Sequence, residues 1–391
     1  MIKIAIRRNL IYPLQLLIWK VARDILLIIN AKLFNFKNSL VYTSLMFFAE
    51  SLTGLIVYKY QERAVKKKQF QVNYKNTYSI ELIQNETYLS HLHPIDKRSK
   101  IFLLIFCAAL SDYIQFIIRS TIVPKFLKIS ATIHNRLGGF ITLLGAFFYV
   151  YALKIPIFKH QIFALIIISF CLIIIMICEF IFQEINIFLS YTELLIVLLI
   201  ILVNQIFDCL LDTIEKYLFE YDFANPFKVL MFEGIFGTLL SFFLFFVPSY
   251  TEDVPKVYKN NSSANFMLFI FLLFVFIIMT GFKNIFKLIT TKLYSPMARA
   301  FTDYFINPIY LLYYFLFEND FVTERKLNRG LYFGINLLLS IIISFCGLVF
   351  NEFIVLFCCG LERNTHDQVS KRANSGIELG SEISDDMSEN Q

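Results

Sequence analysis

Residues 159–183 read KHQIFALIIISFCLIIIMICEFIFQ. No side chain from Ile162 to Cys178 carries a charge, and a helix of about 17–25 such residues crosses a hydrocarbon core of roughly 30 Å. The strict apolar and polar alternation of a barrel strand is absent, and a helix satisfies its own backbone groups in lipid. This stretch is therefore a membrane-spanning helix, and its surroundings repeat the pattern.

The whole chain has 391 residues, 57% hydrophobic and 17% charged, with a mean hydropathy of +0.63. Soluble domains hold about half apolar and a quarter charged residues, so water is not the solvent for most of this chain. Apolar runs broken by polar clusters place spans near 10–30, 39–59, 101–123, 128–152, 159–183, 189–215, 225–248, 266–290, 296–317 and 330–357. The expected fold is an all-α polytopic membrane protein with ten transmembrane helices. No strand is needed anywhere.

Ten spans put both ends on one side. Of the 36 Lys and Arg, about 23 fall in the N-terminus, the even-numbered connections and the tail, and about 10 in the opposite loops. The remaining three, Lys20, Arg23 and Arg136, lie inside spans. The positive-inside rule makes both termini cytoplasmic, with a basic cytoplasmic loop at 60–100 containing Lys66-Lys67-Lys68 and Lys97-Arg98. Asn260 and Asn261, in Asn260-Asn261-Ser262-Ser263, are glycosylation candidates on the other side. Net charge is +6, but the basic residues cluster by loop, which argues against nucleic acid as a partner. The first apolar stretch is long, holds Lys20, Arg23 and Asp24 and lacks a small-residue cleavage site, so it reads as a retained span.

The seven cysteines show no metal-ligand spacing or disulfide framework, and no cofactor or metal is expected. Cys358-Cys359 are candidates for palmitoylation. The acidic segment 359–391, poor in aromatics, is expected to be a disordered cytoplasmic tail. Gly330-x-x-x-Gly334 would let the tenth span pack closely against a second copy as a homodimer.

A charge at mid-span costs about 2.5–3.5 kcal/mol on insertion scales, so the tolerated ones mark function or structural pairing. They are Lys20, Arg23 and Asp24, Glu50, Asp112, Arg136, Asp208 and Asp212, Glu233, and Asp303. The fifth, eighth and tenth spans hold none near their centres. Such a cluster describes a polar cavity with outer scaffolding helices. The competing account pairs Arg23 with Asp24 or Glu50, and Arg136 with Asp112, purely to fix helix packing. Met46-Phe-Phe-Ala-Glu50-Ser is echoed by Met231-Phe-Glu233-Gly, and the opening of the fourth span at Ser130 by that of the ninth at Ser295. These echoes suit two inverted five-helix repeats, residues 1–183 and 184–358.

Glu215-Lys216, Tyr221 and Asn225-Pro226 followed by Glu233-Gly234-Ile-Phe-Gly237 resemble the drug/metabolite transporter superfamily. Within it they resemble the EamA-like F-type members of solute carrier family 35. Met46-Phe47 with Glu50, Asp112, and Arg299 with Asp303 are similar to motifs of its second, third and ninth spans. In the fourth span Arg136 is kept but its neighbours differ. The resemblance implies a cavity lined by spans one to four and six to nine, alternating access, a small polar, anionic or nucleotide-sugar-like solute, and an endomembrane location. Its substrate-binding or coupling set would be Lys20, Arg23, Glu50, Asp112, Arg136, Asp208, Glu233, Arg299 and Asp303. Pro226 and Pro308 would mark bends. A non-transporting scaffold or receptor of the same fold is the alternative. An enzyme is not expected: His91-Leu-His93-Pro-Ile-Asp96 has an acyltransferase-like His-x-x-x-x-Asp spacing if counted from His91, but no later Pro-Glu-Gly block accompanies it.

Overall fold

The computed structural model describes residues 3–6, 11–34, 36, 39–73, 95–118, 139–154, 157–183, 191–222, 224–246, 248–293, 305, 308–309, 312, 326–357 and 365. Helices make up nearly all of them. In chain order they are α1 (Ile11–Phe34), α2 (Ser39–Asn73), α3 (Ile95–Ile117), α4 (Gly139–Tyr151), α5 (Lys159–Gln183), α6 (Tyr191–Glu220), α7 (Pro226–Ser241), α8 (Pro248–Asn260), α9 (Ser263–Leu293) and α10 (Lys326–Phe350). A 3-10 turn, Phe242–Phe246, extends α7.

Six stretches are long and apolar enough to cross a bilayer: Leu40–Ala64, Ser99–Ile117, Lys159–Cys178, Pro226–Leu244, Ser263–Lys292 and Gly330–Phe350. Their outward faces carry rows of exposed large apolar side chains, such as Ile166, Phe170, Ile173 and Ile177 on α5 or Phe271, Phe274 and Ile278 on α9. Only lipid accommodates so many of these faces at once. The chain is an all-α multi-pass membrane protein. α1 and α6 are equally long but carry charges, and the apolar Phe140–Tyr151 is short.

Several boundaries differ from the sequence reading. α2 continues to Asn73, so the start of the basic connection, including Lys66-Lys67-Lys68, is helical. The loop expected to carry Asn260 and Asn261 contains α8, where Val257 packs into a cluster with Phe34 of α1 and Phe269 of α9. Asn260 is exposed, and Asn261 donates its Nδ2 to Val257 O at 2.9 Å. The tenth span ends at Phe350, because Asn351 and Glu352 interrupt the apolar run and Glu352 takes a left-handed backbone conformation (φ 57°). Pro226 does not bend a span: it opens α7 at a position with no helical donor to lose, behind Asn225, whose side chain accepts from Phe227 N and Lys228 N. Strands are also present. β1 (Lys3–Ile6) pairs antiparallel with β2 (Ile354–Phe357), from Lys3 opposite Phe357 to Ile6 opposite Ile354, so the first and last described segments of the sequence meet. Most of the expected ninth span lies outside the described residues, as do His91, His93, Cys358-Cys359 and all of the tail except Thr365.

The helices pack in a definite set of pairs. α2 crosses α7, α5 lies along α10, α1 along α9 and α3 along α6; α2 also meets α9, and α3 meets α7. The α2–α7 crossing is the closest, and glycine makes it so. A Cβ at Gly54 would collide with the backbone of Met231, one at Gly234 with the backbone of Ser51, and one at Gly237 with the ring of Phe47. On α1, Trp19 stacks on Phe282 of α9, ring centroids 4.7 Å apart. The α5–α10 contact is instead filled by Ala164, Ile168, Leu172, Ile175, Leu339 and Ile343 together with α4 and α6.

Candidate functional site

The α2–α7 crossing carries two acids. Glu50 immediately precedes Ser51 and Glu233 immediately precedes Gly234, so the contact that brings those small residues together also buries both carboxyls. α3 adds Asp112, α6 adds Asp208, Asp212 and Glu215, and α9 adds Asn284 and Lys287, all buried. Lys283 of α9 is partly buried beside them. Helical spacing explains the convergence: Asp208, Asp212 and Glu215 follow at intervals of four and three on α6, as do Thr280, Asn284 and Lys287 on α9.

Two contacts tie the cluster together. Lys287 Nζ donates to Glu215 Oε1 at 2.6 Å, an ion pair whose carboxylate side is fully buried. Asn284 Nδ2 donates to Glu50 Oε1 at 3.0 Å. Glu50, Asp112, Glu215 and Glu233 all act electrostatically on Lys287, and Glu50 and Asp112 also act on Lys283. Some polar atoms stay without a partner in the described structure: Glu215 Oε2, Glu233 Oε1, Asn284 Oδ1 and Thr280 Oγ1. A buried polar atom left unpaired costs about 1–3 kcal/mol, so these four are places where a hydrogen-bonding group brought in from outside would be favoured.

Of the residues singled out from sequence, Glu50, Asp112, Asp208, Asp212 and Glu233 converge here. Lys20 and Arg23 lie on α1. Arg23 is engaged by its neighbour Asp24, with Nη2 to Oδ1 at 2.7 Å and Nε to Oδ1 at 2.9 Å, which is one of the pairings the sequence allowed. It also acts through space on Lys283. Arg136, Arg299 and Asp303 lie outside the described residues.

Four members were missed, Asn284 of α9 without any mention. Lys283 and Lys287 were counted with a cytoplasmic connection, and Glu215 only as part of a motif. Yet both lysines fall within the continuous apolar helix Ser263–Leu293, more than a turn before its end. Lys216 has a separate role: its Nζ meets Thr291 O at 3.4 Å and Glu220 Oε1 at 2.6 Å, so the Glu215-Lys216 pair grips α9 twice. Tyr221 Oη donates to Leu153 O at 2.8 Å, tying the end of α6 to the end of α4. A second signal was present in the sequence: Glu50-Ser51-x-x-Gly54 and Glu233-Gly234-x-x-Gly237 share one pattern, acid, small residue, then glycine.

No protein-family model matches the chain, and no curated protein matches it. The site is therefore read on its own chemistry.

Proposed function

We propose that the chain is a membrane carrier that moves a small polar metabolite by alternating access, built as ten spans in two inverted five-helix halves on the plan of the drug/metabolite transporters. The observation that carries this reading is the buried charged cluster at the α2–α7 crossing, drawn from α2, α3, α6, α7 and α9. α5 and α10 contribute no charge to it. Charges inside a membrane protein are expensive, and solute pathways are where they are kept.

The helix pairs support the two-half plan. Count the spans as α1 to α7, then α9 as the eighth and α10 as the tenth, and exchange each span of the first half with its counterpart five spans later. The pair α2–α7 maps onto itself, and so does α5–α10. The pair α1–α9 becomes α6–α3, and α2–α9 becomes α7–α3; every one of these contacts is present. The shared Glu-small-x-x-Gly pattern sits where the exchange demands, on α2 and α7. Pairing of β1 with β2 is in keeping with an even number of crossings. A site between two equivalent halves can open to either side by rocking one half on the other. In this reading both termini are cytoplasmic, as the distribution of Lys and Arg favours, and the membrane is an internal one. The face at Gly330 and Gly334, where no described residue lies within 4 Å, is where a second copy would pack.

Counterflow in proteoliposomes tests the carrier reading, using purified protein and a panel of nucleotide sugars, nucleotides, vitamins, amino acids and amines. The expected result is saturable exchange of one solute, abolished in Glu50→Gln and Arg136→Ala that still elute as folded monodisperse protein. Absence of exchange for every solute, with folding and orientation verified, would leave a non-transporting scaffold as the better account.

A further inference from the structure

Within the carrier reading, on which this step rests, the sign and chemistry of the solute follow from the cluster's own inventory. Lys287 is committed to Glu215 at 2.6 Å. Set that pair aside, and Glu50, Asp112 and Glu233 remain against Lys283 among the described residues that act on one another here. Arg23 reaches Lys283 from α1 but is already held by Asp24. Asp208 adds a further negative group, acting on Glu215. Among these described residues, acids outnumber bases.

A second observation, independent of the acids, points the same way. Asn284 is fully buried; it turns its amide donor to Glu50 and leaves its carbonyl Oδ1 without a donor. Glu233 Oε1 is likewise bare, in a side chain 96% removed from solvent. Among the described residues, the site thus presents two buried acceptor atoms lacking donors beside carboxyls that outnumber the lysines. An anionic solute would bring acceptors to acceptors. A metal ion needs its ligands at one point, and among the described residues no three His, Cys, Asp or Glu converge to hold one. A quaternary ammonium would supply charge and no N–H.

We propose that this cluster binds a protonated organic amine or amidine, its N–H groups donating to Glu233 Oε1 and Asn284 Oδ1 and its charge offset by Glu50, Asp112 and Glu233. The reasoning is that of charge-assisted hydrogen bonds, which are roughly twice as strong as neutral ones and need both a charge and a directed donor.

The test uses the purified full-length protein in proteoliposomes and in detergent, with putrescine, agmatine, tetramethylammonium and a UDP-sugar as probes. Putrescine and agmatine should exchange and raise the unfolding temperature, and tetramethylammonium should do neither. Glu233→Gln should weaken amine binding about tenfold or more, and Glu233→Asp should restore part of it. Lys283→Met should leave amine binding intact or tighter, since it removes a competing cation. Should Glu233→Gln not fold, the wild-type ranking of the four probes decides by itself. Exchange of the UDP-sugar with no competition from either amine would overturn the amine assignment while the carrier stands. Equal action by tetramethylammonium would overturn the donor assignment. No exchange and no stabilisation by any of the four probes would overturn the amine assignment, and the wider counterflow panel would then decide separately whether the carrier stands.

Discussion

Two contacts in this molecule join a helix to its counterpart in the proposed two-half plan, and they are built from opposite materials. Where α2 crosses α7, Gly54, Gly234 and Gly237 bring the backbones together and Glu50 and Glu233 are buried at the crossing. Where α5 lies along α10, Ala164, Ile168, Leu172, Ile175, Leu339 and Ile343 interlock. At one end of it, His160 Nε2 lies 3.3 Å from Glu352 Oε1. Unpaired polar atoms occur at both, Glu233 Oε1 at the inner contact and His160 Nδ1 and Asn336 Oδ1 on the outer helices, but the inner one is set by glycine with carboxyls beside it, and the outer one by interlocking apolar side chains. In the proposed carrier, that difference is what would separate a moving, solute-facing seam from a scaffold, and it can be tested by breaking each contact in turn.

The largest effect is expected at the ion pair beside the inner seam. Lys287→Met leaves Glu215 buried without its cation, and breaking a buried pair from one side costs about 3–5 kcal/mol. The unfolding temperature in detergent should fall sharply. The double variant Lys287→Met, Glu215→Met should recover most of the loss, since two apolar side chains of similar volume leave no stranded charge. A double variant as unstable as the single one would show that the pair fixes the packing of α6 on α9 in a way that shape alone does not replace.

Next comes the glycine seam. Gly234→Ala drives a methyl into the backbone at Ser51, which cannot withdraw like a side-chain tip, so a loss of about 1–3 kcal/mol is expected. Gly330→Ala on α10 meets nothing within 4 Å and should change stability by less than about 0.5 kcal/mol. If the two substitutions proved equal in a thermal melt, the crossing would not be the tight contact it is described as. Smaller again is Asn225→Ala. It removes acceptor contacts to Phe227 N at 3.0 Å and Lys228 N at 3.3 Å and should cost about 1 kcal/mol.

The same contrast explains what could be read in the sequence. Membrane spans were legible because a run such as Ile162–Cys178 has few alternatives in lipid, and Glu50, Asp112, Asp208 and Glu233 stood out because each is an isolated charge in an apolar run. Lys283 and Lys287 did not stand out, since lysines near the end of a span ordinarily extend to the interface. Only the three-dimensional position of Glu215 shows why Lys287 turns inward. The β1–β2 pair was illegible for another reason: two four-residue strands at opposite ends of the sequence carry no periodicity and no local turn. The helix α8 was hidden by Pro255 within it and by its polar composition.

The smallest effect belongs to the outer pair, and its size bears on what holds such a pair together. Ile168 is fully buried between α5 and its neighbours. In water, Ile→Val at such a position costs about 0.5–1.5 kcal/mol, part of it transfer free energy. Separated helices in a bilayer still face hydrocarbon, so the transfer part vanishes and only lost dispersion contacts remain. Ile168→Val should therefore fall at or below about 0.5 kcal/mol and leave solute exchange unchanged. A much larger loss would mean that α5 and α10 meet water when they part, and that the scaffold borders an aqueous path rather than lipid.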